Sequence, residues 1–593
     1  MAKAALQWRI RRLALAGYFS AVAWLSGYRP WRVVALNRSN GPAVQSPMRP
    51  WRFRLVAGSV LAAALLHFSD IGDSQTPGDS GWSPRLILNV VDAASGEPLA
   101  ARFTVTLDGA VHEPRWLGPH GLRFASVHVS KRQTQVFNYA RGTGPVWVPL
   151  KAGAQHLRVD VAKGLDYLPV SIDTRVEGDP VDLTVGLERW NRLREDGWYP
   201  ADAHLHYDRI EPDADRDWSA MMAGDDVWHA QFMVLKGGMV PGVWARQFAY
   251  GREGERSYSG KTIVAGQEYR DSLQGHILLF GVGEVIPPIM AGVADAPHNY
   301  PVFLDVLNRA RNSGGLAGVA HGGTLSQSPT VLADTILGVV DFMEIANFGF
   351  WPLENWYRLM NCGYDLPPTA GTDLPNNPYR EPWQPMLGGM RMYAQTSGVP
   401  GSEAWNRAVR NGRTLVTSGP IIELDANGLG PGETLCVAPE SDRKVRIKLR
   451  MRSPRKLDKL ELLLNGEVVA SSSEARIDGS IHEIAVDSTV RFEESAWIAG
   501  RGRGAPSSLP GGSSVAHTAA IRVLVGGTPI WSDRDATTVI TQLQAQRAFY
   551  ARNGSYSKAA DRTSMLAVFE RAISTLTSNL RSAAESTDGC DPS

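Results

Sequence analysis

The sequence predicts an α/β chain in which a barrel-like strand–helix domain lies between two β-sandwich domains and is followed by a helical tail. Three observations carry this reading. Residues 86–187 and 421–530 fall into short runs where apolar and polar residues alternate, broken by Gly and Pro, as in antiparallel sheets with one buried face. Between them, short and wholly apolar runs alternate with helical stretches, the pattern of strands joined by helices. Residues 536–583 carry helical periodicity and end in a Ser/Asp/Gly-rich stretch.

In chain order, residues 1–82 form a leader. Its first 69 residues hold ten of the chain's 61 Lys and Arg and no Asp or Glu, so the rest of the 593-residue chain is mildly acidic. This balance, with 43% hydrophobic residues, excludes a disordered or collagen-like chain and a nucleic-acid binder held by overall basicity. Apolar segments 13–25 and 55–68 follow clusters of Arg and are shorter than the ~20 residues of a spanning helix. They fit signal-peptide cores, with an uncleaved membrane anchor as the alternative, and Met48 just before the second offers another start. The expected location is therefore exported, periplasmic or extracellular, with or without membrane attachment. Cys362, Cys436 and Cys590 are widely spaced and form no Cys-x-x-Cys, so a thiolate zinc site is not indicated.

Residues 83–192 form the first sandwich, with Leu86-Ile-Leu-Asn-Val-Val, Ala101-Arg-Phe-Thr-Val-Thr-Leu, His156-Leu-Arg-Val-Asp-Val and Val181-Asp-Leu-Thr-Val as strands. Residues 193–420 form the strand–helix domain. Its strands include 262–265, 277–280, 316–320 and 342–345, and a helix over 302–312 has Phe303, Val306, Leu307 and Ala310 as an apolar stripe and Gly314 as a stop. Residues 421–535 form the second sandwich, clearest at Val445-Arg-Ile-Lys-Leu-Arg-Met and Leu460-Glu-Leu-Leu-Leu-Asn-Gly, and 536–593 the tail.

The chemistry-bearing residues of the middle domain fall at expected strand ends, where barrel enzymes place their sites. In Asp202-Ala-His204-Leu-His206 the two His share one side of a strand and can bind one ion. Glu268 and Arg270 follow in Gly266-Gln-Glu-Tyr-Arg, then His276, then His321 in Ala320-His-Gly, Glu344 and Asn347 around 342–346, and Asp373 in Gly371-Thr-Asp. Singly, each is as well explained as a cap, a turn or a partnered buried group. Jointly, four His and two carboxylates form a nitrogen and oxygen ligand set suited to Zn²⁺, Mn²⁺ or Fe²⁺. Arg270 and Arg391 are candidates for anchoring an anionic or carbonyl group. Trp351, in the aromatic stretch 348–356, is a candidate for lining an apolar substrate pocket, with core packing as the equal alternative. Lys236, beside Gly237-Gly238, reads as a turn residue. His229 and His298, away from the strand ends, read as surface or supporting groups.

The string Gly197-Trp-Tyr-Pro-Ala-Asp-Ala-His-Leu-His resembles the opening motif of PHP-domain (polymerase and histidinol phosphatase) metallohydrolases, in particular the carbaryl-hydrolase-like CehA/McbA-type branch. Later segments resemble that branch in order: Gly266-Gln-Glu-Tyr-Arg with Gly275-His, Gly314-Gly-Leu-Ala-Gly-Val-Ala-His, Asp341-Phe-Met-Glu-Ile, Ala370-Gly-Thr-Asp, and Asn411-Gly-Arg-Thr-Leu-Val-Thr-Ser-Gly-Pro. The resemblance spans residues 85–535. It implies a distorted (β/α)7 PHP barrel flanked by N-terminal and C-terminal β-sandwich domains. It also implies that His204 and His206 hold one ion, Glu268 bridges two, and His276, His321 and Asp373 complete the ligand set, with Glu344 and Asn347 behind them. Many PHP domains carry Asp-His after the second strand and Asp-x-His at the end. This chain has Phe232-Met-Val-Leu-Lys-Gly-Gly and Asp373-Leu-Pro there, which favours two divalent ions over three.

The expected activity is a metal-dependent hydrolase acting on a small-molecule ester, amide or carbamate, with Glu268 beside the nucleophile and Asp373 as general base. Two alternatives share these features: a phosphoesterase on the same site, and an exported binding protein that has lost catalysis. The body carries no nucleic-acid motif.

Overall fold

A computed structural model describes residues 86–582 except 129–132, 151–154, 178–179, 238–241, 348–350, 377–384 and 507–512. The leader with its two apolar segments, and Phe348-Gly-Phe350 of the aromatic stretch, lie outside the described residues. Among the described residues no helix is long and apolar enough to cross a membrane.

The architecture is mixed α/β, with several sheets and two long C-terminal helices. At the N-terminal end a three-stranded sheet, Val146–Val148, Leu86–Asp92 and Val181–Leu187, shares a core with a larger antiparallel sheet that contains Ala100–Leu107 and Gln155–Ala162. Alternation produces this: in Gln155–Ala162, Leu157, Val159 and Val161 are buried, while His156 and Arg158 between them face solvent. The C-terminal β region works the same way. Ile447, Leu449 and Met451 of strand Lys444–Ser453 meet Leu460 and Leu462 of Leu457–Leu464 across one core.

In the middle region, setting aside short strands such as Val243–Trp244, Arg256–Tyr258 and Met290–Ala291, seven strands form one path: Trp198–Leu205, His229–Lys236, Lys261–Asp271, Gly275–Phe280, Leu316–Val319, Phe342–Asn347 and Pro368–Gly371. Each pairs with the next. The path then returns to its first member. Asp373 N–H donates to His204 O at 2.8 Å and His206 N–H to Leu374 O at 2.7 Å, a parallel bridge between Leu205 and Leu374. These strands are buried nearly throughout because both faces are covered, and the polar residues they carry, such as Gln267, Glu268 and Arg270, are buried with them.

One departure from strand–helix alternation matters. Lys261–Asp271 and Gly275–Phe280 are joined by Ser272-Leu273-Gln274 alone and pair antiparallel, so the fourth strand is reversed and pairs antiparallel with Leu316–Val319 as well. The helix expected over 302–312 runs from Phe303 to Asn312. Its buried Phe303, Val306, Leu307 and Ala310 face the sheet, and Gly314 beyond it has φ 88°. The tail is two helices, Asp533–Asn553 and Ala559–Ser582. They pack on each other and on the middle region through Val539, Leu543, Tyr550, Phe569 and Leu576.

Candidate metal centre

The reversed strand explains where the site lies. His204, His206, His321 and Asp373 lie at or just beyond the ends of strands that run toward one rim of the sheet path, and Glu268 lies in the last part of Lys261–Asp271, which runs the same way. His276 is the second residue of a strand running the other way, so its beginning sits at that same rim. His204 and His206 point together because they are two apart on an extended segment. His321 follows Leu316–Val319 in the left-handed region at φ 37°, and Asp373 follows Pro368–Gly371 at φ 53°. Such backbone is costly for a side-chain-bearing residue and concentrates at functional sites. Gly371 is required for closeness: a Cβ there would stand 2.4 Å from His204 Cβ.

Six side chains form two groups, His204–His206–Asp373 and Glu268–His276–His321, each with ligand atoms within 4.8 Å of one another. Glu268 lies between them. Its Oε2 is 3.2 Å from His206 Nε2 and 3.8 Å from His204 Nε2, and its Oε1 is 3.0 Å from His276 Nδ1 and 3.9 Å from His321 Nε2. Asp373 Oδ1 is 3.1 Å from His206 Nε2 and 3.7 Å from His204 Nε2, and His276 Nδ1 is 3.0 Å from His321 Nε2. Two ligands each ~2.0–2.2 Å from one ion stand at separations of this size.

The outer ring nitrogens are committed, which aims the inner ones. His204 Nδ1 donates to Glu344 Oε1 at 2.9 Å, with the Asn347 amide 3.1 Å away, and His206 Nδ1 donates to Met233 O at 2.9 Å. Glu344 uses its other oxygen to accept from His321 N–H at 2.7 Å, so one carboxylate braces both groups. Arg270 Nη2 donates to Glu268 Oε2 at 2.6 Å, and Asn376 Nδ2 to Asp373 Oδ1 at 2.8 Å. Beneath, buried Asp202 accepts from Thr372 N–H, Thr372 Oγ1 and Gly388 N–H. Burial against those bonds raises its carboxyl to about 6.

Burial opposes charge on every group here, and the neighbours decide the outcome. Against burial, Arg270 and His276 hold the Glu268 carboxyl well below its usual range, and Asp373 falls to about 2 beside His204 and His206. Glu344 and Asp373 overcome burial to raise His204 well above its ordinary value. Burial and the adjacent His276 lower His321 to about 3, and burial with Arg270 lowers His276, so these two rings present lone pairs.

The residues present fit divalent ions. His204 Nε2, His206 Nε2 and Glu268 Oε1 are buried atoms that make no hydrogen bond of ordinary geometry; the two His atoms converge beside Glu268 Oε2 and Asp373 Oδ1, and Glu268 Oε1 faces His276 and His321. Orphaned buried polar atoms are costly unless something else satisfies them. The donor set is imidazole and carboxylate only, the chemistry of Zn²⁺, Mn²⁺ or Fe²⁺ sites. A buried multi-His, multi-carboxylate cluster of this kind is a metal-binding active-site arrangement of the metal-hydrolase type.

Two expectations, for Arg391 and His229, need correction, and Trp351 takes the core-packing one of its two alternatives. Arg391 is not at the rim. It is fully buried, and its guanidinium donates to the backbone carbonyls of Gly388, Asp225 and Asp226, the last two preceding strand His229–Lys236 at the opposite end of the sheet. Trp351 packs against the main core with its ring 6.1 Å from that of His517. His229 is not a surface group but is wholly buried and stacked on Trp405 at 4.2 Å. Sequence reasoning gave no role to Asp202, Met233 or Asn376. For Asp202 the signal was its place two residues before His204, on the same strand face.

Compared with known protein families and with curated proteins, the chain matches none. Among solved structures it aligns with a β-glucuronidase of Parabacteroides merdae at 10% identity and a TM-score of 0.16, over 72% of this chain and 60% of that one. A similarity at that level carries no argument about fold or function.

Proposed function

We propose that the chain is a PHP-type metal-dependent hydrolase, with the seven strands forming a distorted barrel and two divalent ions held at its rim. The observation that carries this is the position of Glu268, whose two carboxylate oxygens face two separate ligand groups. His204, His206 and Asp373 would hold one ion, and His276 and His321 the other. When bound, such ions lower the pKa of water from ~15.7 to ~7 and polarise an oxygen under attack.

The chain's own residues do the rest. Glu344 and Met233 O orient the His204 and His206 rings, Arg270 fixes the Glu268 carboxylate, and Asp373 accepts the proton of the attacking water. The substrate is a small ester, amide or carbamate. Arg270 and Lys236, basic side chains on the strands that supply the site, are each paired with a carboxylate, Glu268 and Asp295. That weakens the case for a phosphoryl dianion. The basic leader and its apolar segments support export.

The test is elemental analysis of protein purified without chelators, comparing wild type with His204→Ala/His206→Ala. About two ions per chain, reduced in the double variant, are expected, followed by screening of aryl esters, carbamates and phosphoesters. No metal in either protein after loading with Mn²⁺, Zn²⁺ or Fe²⁺ would overturn the reading in favour of a binding protein.

A further inference from the structure

The two ligand groups share the brace of Glu344 but are otherwise supported by different parts of the chain. Behind His204, His206 and Asp373 stand Glu344 and Met233 of the middle strands and Asn376 of the turn after Pro368–Gly371. The group Glu268–His276–His321 is flanked by two loops, one between the strands of Glu268 and His276 and one after His321, and the C-terminal helices reach both.

The first loop is the turn Ser272-Leu273-Gln274 between Glu268 and His276. Asp271 Oδ1 closes it by accepting from Leu273 N–H at 2.7 Å, Gln274 N–H at 2.9 Å and Asn299 Nδ2 at 3.0 Å. Asn299 also donates to Ser272 Oγ at 3.0 Å. Its remaining groups go to the link between the two tail helices: Asn299 N–H donates to Ser555 O at 2.7 Å, and Asn299 Oδ1 accepts from Ser555 N–H at 3.0 Å. Asn299 is 3% exposed and every hydrogen-bonding group of its side chain is used, so it joins turn to tail with no slack.

The second loop, 324–330, follows His321. Tyr550 O–H, fully buried on helix Asp533–Asn553, donates to Ser328 O at 2.6 Å, and Gln546 Nε2 of that helix donates to Pro329 O at 2.8 Å. This loop lies against the first. Ser326 Oγ donates to Leu273 O at 2.7 Å, and Gly275, at φ 110°, would place a Cβ 3.4 Å from Ser326 Cβ. The tail therefore grips both loops that aim His276 and His321.

We infer that the C-terminal helical hairpin sets the affinity of the Glu268–His276–His321 ion selectively, with Asn299 and Tyr550 as positioning residues. The inference rests on the two-ion reading above. Groups that hydrogen-bond a metal ligand directly are typically worth about 10- to 100-fold in affinity; Asn299 and Tyr550 act one step further out, through the loops next to His276 and His321, so the lower end of that range, about 10-fold, is expected for the one ion they serve.

The test is titration of the full-length, metal-stripped protein with Mn²⁺ alone, counting free ion by electron paramagnetic resonance. Wild type, Asn299→Ala, Tyr550→Phe and the surface control Thr541→Ala are compared, each first checked for a native circular dichroism spectrum. Wild type and Thr541→Ala should bind two ions. In Asn299→Ala one ion should bind as in wild type and the other about 10-fold more weakly, and the spin-coupled signal of a Mn²⁺ pair should be lost at sub-saturating metal. Tyr550→Phe, which removes a single donor, should shift the same ion by less. Equal weakening of both ions, or no change in either variant, would overturn the inference while leaving the two-ion reading intact. Wild type that binds no ion would overturn that reading and the inference together.

Discussion

Asp373 is the least buried carboxylate of the cluster, its side chain 10% exposed against 1% for Glu268 and 0% for Glu344. A proton taken up at Asp373 can therefore leave toward solvent, whereas one on Glu268 is enclosed by Arg270 and the His rings. Asp373→Asn keeps the shape and the neighbour Asn376 but removes the basic oxygen. With metal content held at the wild-type level, turnover of p-nitrophenyl acetate should fall by about 10²- to 10⁴-fold. Near-normal turnover in the fully metallated variant would remove Asp373 from the proton path. Glu344 differs in kind: wholly buried and with one oxygen turned to the His204 ring and the other to His321 N–H, it orients ligands and has no open path to solvent for a proton.

At the scale of elements, helix Phe303–Asn312 shows how far local pattern reaches. Its stripe was legible because Phe303, Val306, Leu307 and Ala310 recur at helical spacing, and Leu307 is fully buried over the sheet. Leu307→Ala should cost about 2–5 kcal/mol of stability by urea denaturation and leave metal stoichiometry unchanged, because Leu307 sits in mid-helix within the apolar core and only the helix's first residue, Phe303, is bonded to the turn at the rim. A larger effect on metal than on stability would show that the helix also shapes the site. The ligand residues were legible for a related reason, since His and carboxylates placed at the ends of apolar runs show in sequence. Direction was not. Nothing in Gly275-His-Ile-Leu-Leu-Phe says that this strand runs backward, because a two-faced buried strand reads alike either way and only the short turn at 272–274 hints at a hairpin. Arg391 was misplaced for a similar reason. A buried Arg satisfied by backbone carbonyls has the same sequence appearance as one that anchors a substrate, and its partners, Asp225 and Asp226, lie 166 and 165 residues away.

Across the whole molecule, buried ionic contacts tie the N-terminal sheets to the middle strands. Arg102, on strand Ala100–Leu107, lies 3.4 Å from Asp225, whose other oxygen accepts from Tyr139 O–H at 2.8 Å and Leu387 N–H at 3.0 Å. Both charges are almost wholly buried. Breaking such a pair from one side strands the other charge, so Arg102→Ala should cost about 3–5 kcal/mol, read as a lower urea midpoint. Arg102→Met/Asp225→Asn should recover much of that loss, and an equal or larger loss in the double variant would show that packing, not charge, is what joins these parts. The seam at Asp373-Leu374 has a consequence in time. It pairs with His204–His206, and Asp202 just upstream bonds to Thr372 across 170 residues of chain. Glu268 and His276, by contrast, come together on one hairpin. During synthesis on a ribosome, the hairpin's ligands can meet as soon as they emerge, while the His204–His206 pair must wait, open and metal-accessible, until residue 373 has been translated.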